Sequence, residues 1–189
     1  MTWPDPVNRI PPAVVTDEAG QALAKTPTLP DGSQRNIFTT LAWHPLLLKR
    51  FNAFTGTFMR FGTLSARDRE VVVLRVAATT RCRYELGQHL PIAAAAGVSE
   101  PTVTALLRVG DDRSGLSEGD ALLVDTTDAV LATGTVDDDL WSRLAQRFDE
   151  PQLIELLVLI GTYRMVADLL NVAGVQLEPD MKAEVSQWI

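Results

Sequence analysis

Three side chains able to carry chemistry near neutral pH fall close together in this chain. Cys82 is its only cysteine, His89 is one of two histidines, and Glu85 lies between them. In a helix these positions, i, i+3 and i+7, fall within roughly 60° of one another at about 100° per residue. One face would then present a thiol, a carboxylate and an imidazole, the groups used for nucleophilic and acid/base catalysis. A carboxylate one turn before an imidazole can orient the ring and favour its charged form. A fourth residue, Glu70, falls on the apolar side of the preceding helical segment, flanked by Val73, Leu74 and Ala77. A carboxylate there is costly unless it is paired, hydrogen-bonded or protonated. The alternatives are a buried ion pair with an arginine such as Arg81 or Arg83, or a functional carboxylate with a raised pKa.

Helices must position these groups. Alanine, leucine and valine dominate, aromatic residues make up 6%, and helical periodicity runs along most of the 189 residues. This pattern predicts an all-α fold with one well-buried core. Residues 1–36 stand apart as a Pro-rich arm, holding six of the eleven prolines. The arm should be extended, with at most a short helix around Asp17–Ala24. Trp3, Ile10, Val14 and Leu29 would anchor it on a surface, its own or a neighbouring subunit's.

Residues 37–189 then read as a single helical domain. A helix from Ile37 to Met59 should break at His44-Pro45, because a residue before proline avoids the α region. Ser65 and Asp68 mark the start of a helix to Thr79, with Asp68, Arg75 and Thr79 on its solvent side. The next helix, from Arg81 to Ala96, is the expected centre of the fold, kinked at Pro91 and closed by Gly97. Ser99 should open a short helix to Val109, before a polar loop from Asp111 to Gly115. Ser117 should open the helix to Thr133, and Asp138–Arg147 follows a turn at Gly134. Asp149-x-x-Gln152 should open a long helix to Ala173. A short helix should occupy the tail that carries Met181, Val185 and Trp188. Arg69–Leu74 is faintly echoed by Ile154–Leu159, and Ala96-Gly97-Val98 by Ala173-Gly174-Val175, as in a duplicated helical unit.

A net charge of −7 with no basic cluster excludes nucleic acid and anionic membrane surfaces as expected partners. One cysteine allows no intrachain disulfide. The first residues, Met1–Asp5, lack the regions of a secretory signal, and the apolar run at Leu153–Gly161 is too short to span a bilayer, so a cytoplasmic protein is expected. The histidines, 45 positions apart, give no metal signature. No phosphate-binding or dinucleotide motif occurs, so no cofactor is expected.

The spacing E-x11-C-x2-E-x3-H over Glu70, Cys82, Glu85 and His89 resembles the carboxymuconolactone decarboxylase / alkyl hydroperoxidase D (AhpD-like) family. So do Leu64–Glu70 before it and Pro91–Val98 after it. The resemblance implies an AhpD-like helical bundle built around a core helical hairpin. It also implies a homo-oligomer, a trimer or dimer of trimers, with sites near subunit interfaces. In the hydroperoxidase branch a second cysteine stands where this chain has Glu85, so a dithiol cycle within one chain is not expected. The expected activity is a cofactor-independent acid/base reaction (decarboxylase, lyase or isomerase) on a small carbonyl or carboxylate compound, carried by His89, Glu85 and Glu70. A one-cysteine hydroperoxide reductase using Cys82 and a non-enzymatic oligomeric scaffold are the alternatives.

Overall fold

A computed structural model describes residues 3, 6–108, 110 and 112–189. The expected helix end at Val109, the loop start at Asp111 and most of the Met1–Asp5 segment lie outside the described residues. Within them the chain forms ten helices and no strand, so the all-α expectation holds. These are α1 Asp17–Leu23, α2 Asn36–Leu41, α3 Pro45–Arg60, α4 Ala66–Thr80 and α5 Arg83–Ala95, then α6 Glu100–Leu107, α7 Glu118–Thr133, α8 Asp138–Arg147, α9 Glu150–Ala173 and α10 Pro179–Val185.

The helix starts follow local chemistry. Ser65, Ser99, Ser117, Asp137 and Asp149 each accept a backbone N–H of the first turn with the side chain, and Asp149 with Gln152 completes a capping box. His44 caps α3 in the same way through Nδ1, and Pro45 takes the first helical position, where its missing donor costs nothing.

The centre of the bundle is α4, not α5. It packs against α5, α6, α7 and α9, and every residue from Arg69 to Ala78 is buried. Val71-Val72-Val73 is a poor helix former in isolation, so tertiary packing overrides propensity here. The expected solvent side of α4 is absent as a result. Arg75 is 1% exposed; it donates to Asp128 on α7 and to the carbonyls of Leu106 and Arg108.

A two-residue link joins α4 to α5 and makes the core hairpin. Arg81 is left-handed there (φ 53°), and the N–H of Cys82 returns to the carbonyl of Ala77. Helix α5 runs through Pro91, with Gly87 pressed against Leu177 and Val185 of the C-terminal segment.

The N-terminal segment crosses the far end of α9. The N–H groups of Arg9 and Ile10 both reach the carbonyl of Ala173, and Gln176 Nε2 donates to the carbonyl of Pro6. Trp3 is buried, Leu29 is half-buried, and Ile10 and Val14 remain exposed. The short helix expected in this segment is α1, which packs on α3.

A buried acid, an imidazole and an apolar pocket

Along α5, Glu85, Gln88 and His89 form one edge of a pocket of about 290 Å3. Ile37 and Phe38 of α2 and Phe51, Thr55 and Met59 of α3 form a second wall, and Tyr163, Val166 and Leu170 of α9 a third. This is near the low end of ligand pockets, roughly 300–1,000 Å3.

His89 is fixed from behind. Its Nδ1 lies 2.7 Å from Oε2 of Glu70, and the other oxygen of Glu70 accepts from Nε of Arg69 at 2.9 Å. The ring stands edge-on to Tyr163, with centroids 5.1 Å apart. With Nδ1–H donating to Glu70, Nε2 is the nitrogen left for the pocket. Burial by itself would raise the carboxyl of Glu70. The charge and hydrogen bond of His89, with the hydrogen bond and charge of Arg69, outweigh it and hold the carboxyl below its ordinary value.

Glu85 has the opposite surroundings. It is 2% exposed, and neither carboxyl oxygen has a hydrogen-bond partner. Burial, reinforced by the negative charge of Asp168, pushes its carboxyl well above the ordinary range, so it keeps its proton to higher pH than an exposed carboxyl does. The pKa values of two acids around one imidazole are thus pushed in opposite directions, the pattern that separates acid from base in enzyme sites. The phenol of Tyr163 is also held protonated, first by burial and then by the charges of Glu70 and Glu85.

The site departs from the sequence expectation in three respects. Glu70, not Glu85, orients His89, and the raised pKa belongs to Glu85 rather than to Glu70. The arginine paired with Glu70 is its neighbour Arg69, not Arg81 or Arg83. Cys82 does not share the face of Glu85 and His89. It precedes the first turn of α5 in an extended conformation (φ −85°, ψ 97°), which breaks the helical spacing. The residue is completely buried and is not among the side chains lining the pocket. Burial, then the negative charge of Glu85, push its thiol well above the ordinary value.

Gln88 and Tyr163 escaped the sequence reading. Gln88 had a signal, since it directly precedes His89 and lies one turn after Glu85 on the same helix. Its Nε2 donates to Glu178 Oε2, which leaves Oε1 buried without a partner. Glu178 is itself buried and also accepts from the Tyr84 hydroxyl and the Asn36 N–H, both at 2.8 Å. Tyr163 had none, because it sits among aliphatic residues of α9 at ordinary core spacing. Among the described residues no three His, Cys, Asp or Glu side chains meet in a way that could hold a metal ion, and no helix is long and apolar enough to cross a membrane.

Residues 45–123, from the start of α3 into α7, match the Carboxymuconolactone decarboxylase family. The matched segment contains Glu70, Cys82, Glu85 and His89, so the resemblance expected from their spacing holds. No curated protein matches the chain in sequence. Among solved structures, an uncharacterized peroxidase-related protein from Ralstonia eutropha JMP134, described as an alkylhydroperoxidase AhpD core, is similar over 93% of this chain and 95% of its own. Its TM-score is 0.77 at 18% identity. An alanine variant of the debrominase Bmp8 in complex with 2,3,4-tribromopyrrole is similar over 95% and 97%, with a TM-score of 0.73 at 15% identity. An uncharacterized peroxidase-related protein from Silicibacter sp. TM1040 covers the same shares, with a TM-score of 0.75 at 16% identity. The fold is therefore that of the AhpD core.

Proposed function

We propose that this AhpD-core chain, with its carboxymuconolactone decarboxylase-family segment, is a cofactor-independent acid/base enzyme acting on a small carbonyl or carboxylate compound. One observation carries the reading: a buried, unpartnered Glu85, its pKa raised by burial, lines the same pocket as a His89 whose other nitrogen is held by Glu70, whose pKa is lowered. A neutral carboxylic acid in apolar surroundings is a proton donor, and an imidazole backed by a carboxylate is a proton acceptor. In the proposed step His89 acts in its neutral form, Nδ1–H donating to Glu70, and its Nε2 takes a proton from the carbon next to a carbonyl. Glu85 gives its own proton to the carbonyl oxygen, forming an enol. The charge left on Glu85 is offset by the imidazolium, and reversal at a different carbon completes an isomerisation. In a decarboxylase, loss of CO2 would replace the first proton transfer, and Glu85 would protonate the resulting enolate.

The peroxidase alternative would need a reachable thiolate at Cys82. The buried, protonated thiol and its absence from the pocket wall speak against it. An assembly role without catalysis would leave the orphaned carboxyl of Glu85 as an unreturned cost.

The test is exchange of α-protons into D2O, followed by NMR, across a panel of small ketones, lactones and keto acids. Wild-type protein should exchange at least one class, and Glu85→Gln and His89→Ala should not. Exchange by both variants at the wild-type rate would remove the assigned roles.

The proposal includes self-association. Ile154, Val158, Met165 and Val172 of α9 lie on one face and are 64%, 41%, 50% and 67% exposed, an apolar stripe suited to a second copy of the chain. Sedimentation of the purified protein tests this, and a monomer at all concentrations would exclude it.

A further inference from the structure

The pocket's mouth has a charge that the acid/base reading does not use. Arg35, beside the start of α2, and Arg60, at the end of α3, both line the pocket. Neither has a carboxylate within ion-pair distance among the described residues. By contrast Arg67, Arg69, Arg75, Arg113, Arg147 and Arg164 each reach one. What sets these two apart from other arginines without an ion pair is that they line one pocket. The one carboxyl among the residues that line the pocket is that of Glu85, whose charged form burial disfavours. The mouth is therefore positive, the walls between are apolar (Phe38, Phe51 and Met59), and the inner end is polar.

Polarity at the inner end is directional. Glu178 takes the amide N–H of Gln88, a residue of the pocket wall, and the Oε1 of Gln88 is left buried and without a donor. The carboxyl of Glu85, one turn earlier on α5, is also buried without a partner. Two polar groups of the pocket wall are thus left without partners, each costly until a ligand fills it.

We propose that the pocket takes an amphipathic organic anion whose carboxylate sits between Arg35 and Arg60 at the mouth. Its apolar body lies along Phe38, Phe51 and Met59, and its inner end carries an oxygen function that meets Glu85 and Gln88. This assigns Arg35 and Arg60 as binding residues and names the substrate class of the site proposed above. An anion with a short apolar body and a polar distal group fills every open position, whereas a neutral ligand leaves both cations unanswered.

Equilibrium binding of unreactive probes tests it. Octanoate and 1-octanol share an apolar body and differ in the anionic head. Calorimetric titration of wild-type protein at low salt should show octanoate binding about tenfold more tightly than 1-octanol, the size expected of charge-assisted contacts at a half-exposed mouth. The preference should shrink as salt is raised. In an Arg35→Gln/Arg60→Gln protein the two probes should bind alike, and Arg35→Lys/Arg60→Lys should keep most of the preference. No octanoate binding, equal binding of both probes to wild type, or an unchanged preference in the Gln variant would each overturn the proposal. Should the Gln variant not fold, the probe pair and salt series on wild type decide alone. No proton is transferred to either probe, so failure of the acid/base reading leaves this result intact, and failure of the anion preference leaves the acid/base reading standing.

Discussion

Glu70 of α4 holds the imidazole of His89 on α5 at 2.7 Å, across the two helices of the core hairpin. The contact ties the least exposed helix of the bundle to the pocket wall. Stability and site geometry are therefore coupled through one carboxylate, which also answers the buried guanidinium of Arg69.

Glu70→Gln should therefore cost stability. It leaves Arg69 buried without its counter-charge, a change worth about 3 kcal/mol when a buried pair loses one member. The pH dependence follows from the lowered carboxyl. Its contribution is fully present above the unfolded value, near 4.5, and is lost as pH falls through the lower folded value. Urea unfolding of wild type should show stability falling on acidification below that point. The Gln variant should be less stable at pH 7 and show a flatter curve in the acid window. Parallel curves would mean that Glu70 does not titrate as the geometry requires.

Glu85→Gln should do the reverse to stability while removing function. A carboxyl whose folded pKa is raised costs nothing below its unfolded value. Above that value the unfolded chain ionises and the folded one does not, so stability is lost as pH rises towards the folded pKa. The amide is nearly isosteric and carries no such penalty. The variant should be more stable than wild type at pH 7–8, by about 1 kcal/mol or more, and equally stable near pH 3. Activity should fall by about 10²- to 10⁴-fold, the usual contribution of a positioned acid. A variant that loses both stability and activity would mark Glu85 as a packing residue.

How much of this was legible in the chain depended on how local each signal was. Caps at Ser65, Ser99, Ser117 and Asp149 are fixed within four residues, and the observed helices begin where those residues predict. The solvent side assigned to Arg75 failed because a helical wheel cannot tell a one-sided helix from a central one. Only the packing of α6 and α7 against α4 turns Arg75 inward onto Asp128. Spacing identified Glu70, Glu85 and His89, but not which acid would be ionised. That depends on Arg69 being folded back onto Glu70 and on Glu85 being left without donors. Cys82 was misplaced because the helix begins one residue after it. Assigning its face needed the left-handed turn at Arg81, which no glycine announces.

Cys82 should be inert in the native protein. A fully buried thiol held in its protonated form offers neither access nor thiolate, so a thiol reagent at pH 8 should react only as fast as the protein opens. Reaction should become rapid in urea. Cys82→Ala should keep activity and cost about 1–2 kcal/mol for the small cavity left behind. Stoichiometric labelling of the folded protein within seconds would return the thiol to the candidate chemistry.

Gly174→Ala tests how the N-terminal segment is held to the bundle. Gly174 ends α9 with φ +70°, a left-handed conformation that costs a residue with a Cβ roughly 1–2 kcal/mol. Space adds a second constraint. A Cβ at this position would collide with the carbonyl oxygen of Val7, so the crossing segment must move away. Such a shift loosens the pairing of Arg9 and Ile10 with the Ala173 carbonyl and the bond from Gln176 to Pro6. The variant should lose more stability than backbone strain alone explains, and limited proteolysis should cut between residues 6 and 16 faster than in wild type. Exchange of α-protons by the variant supplies the control: wild-type exchange with faster proteolysis locates the damage in the segment, and unchanged proteolysis would show that the close approach of Val7 to Gly174 is not what holds it.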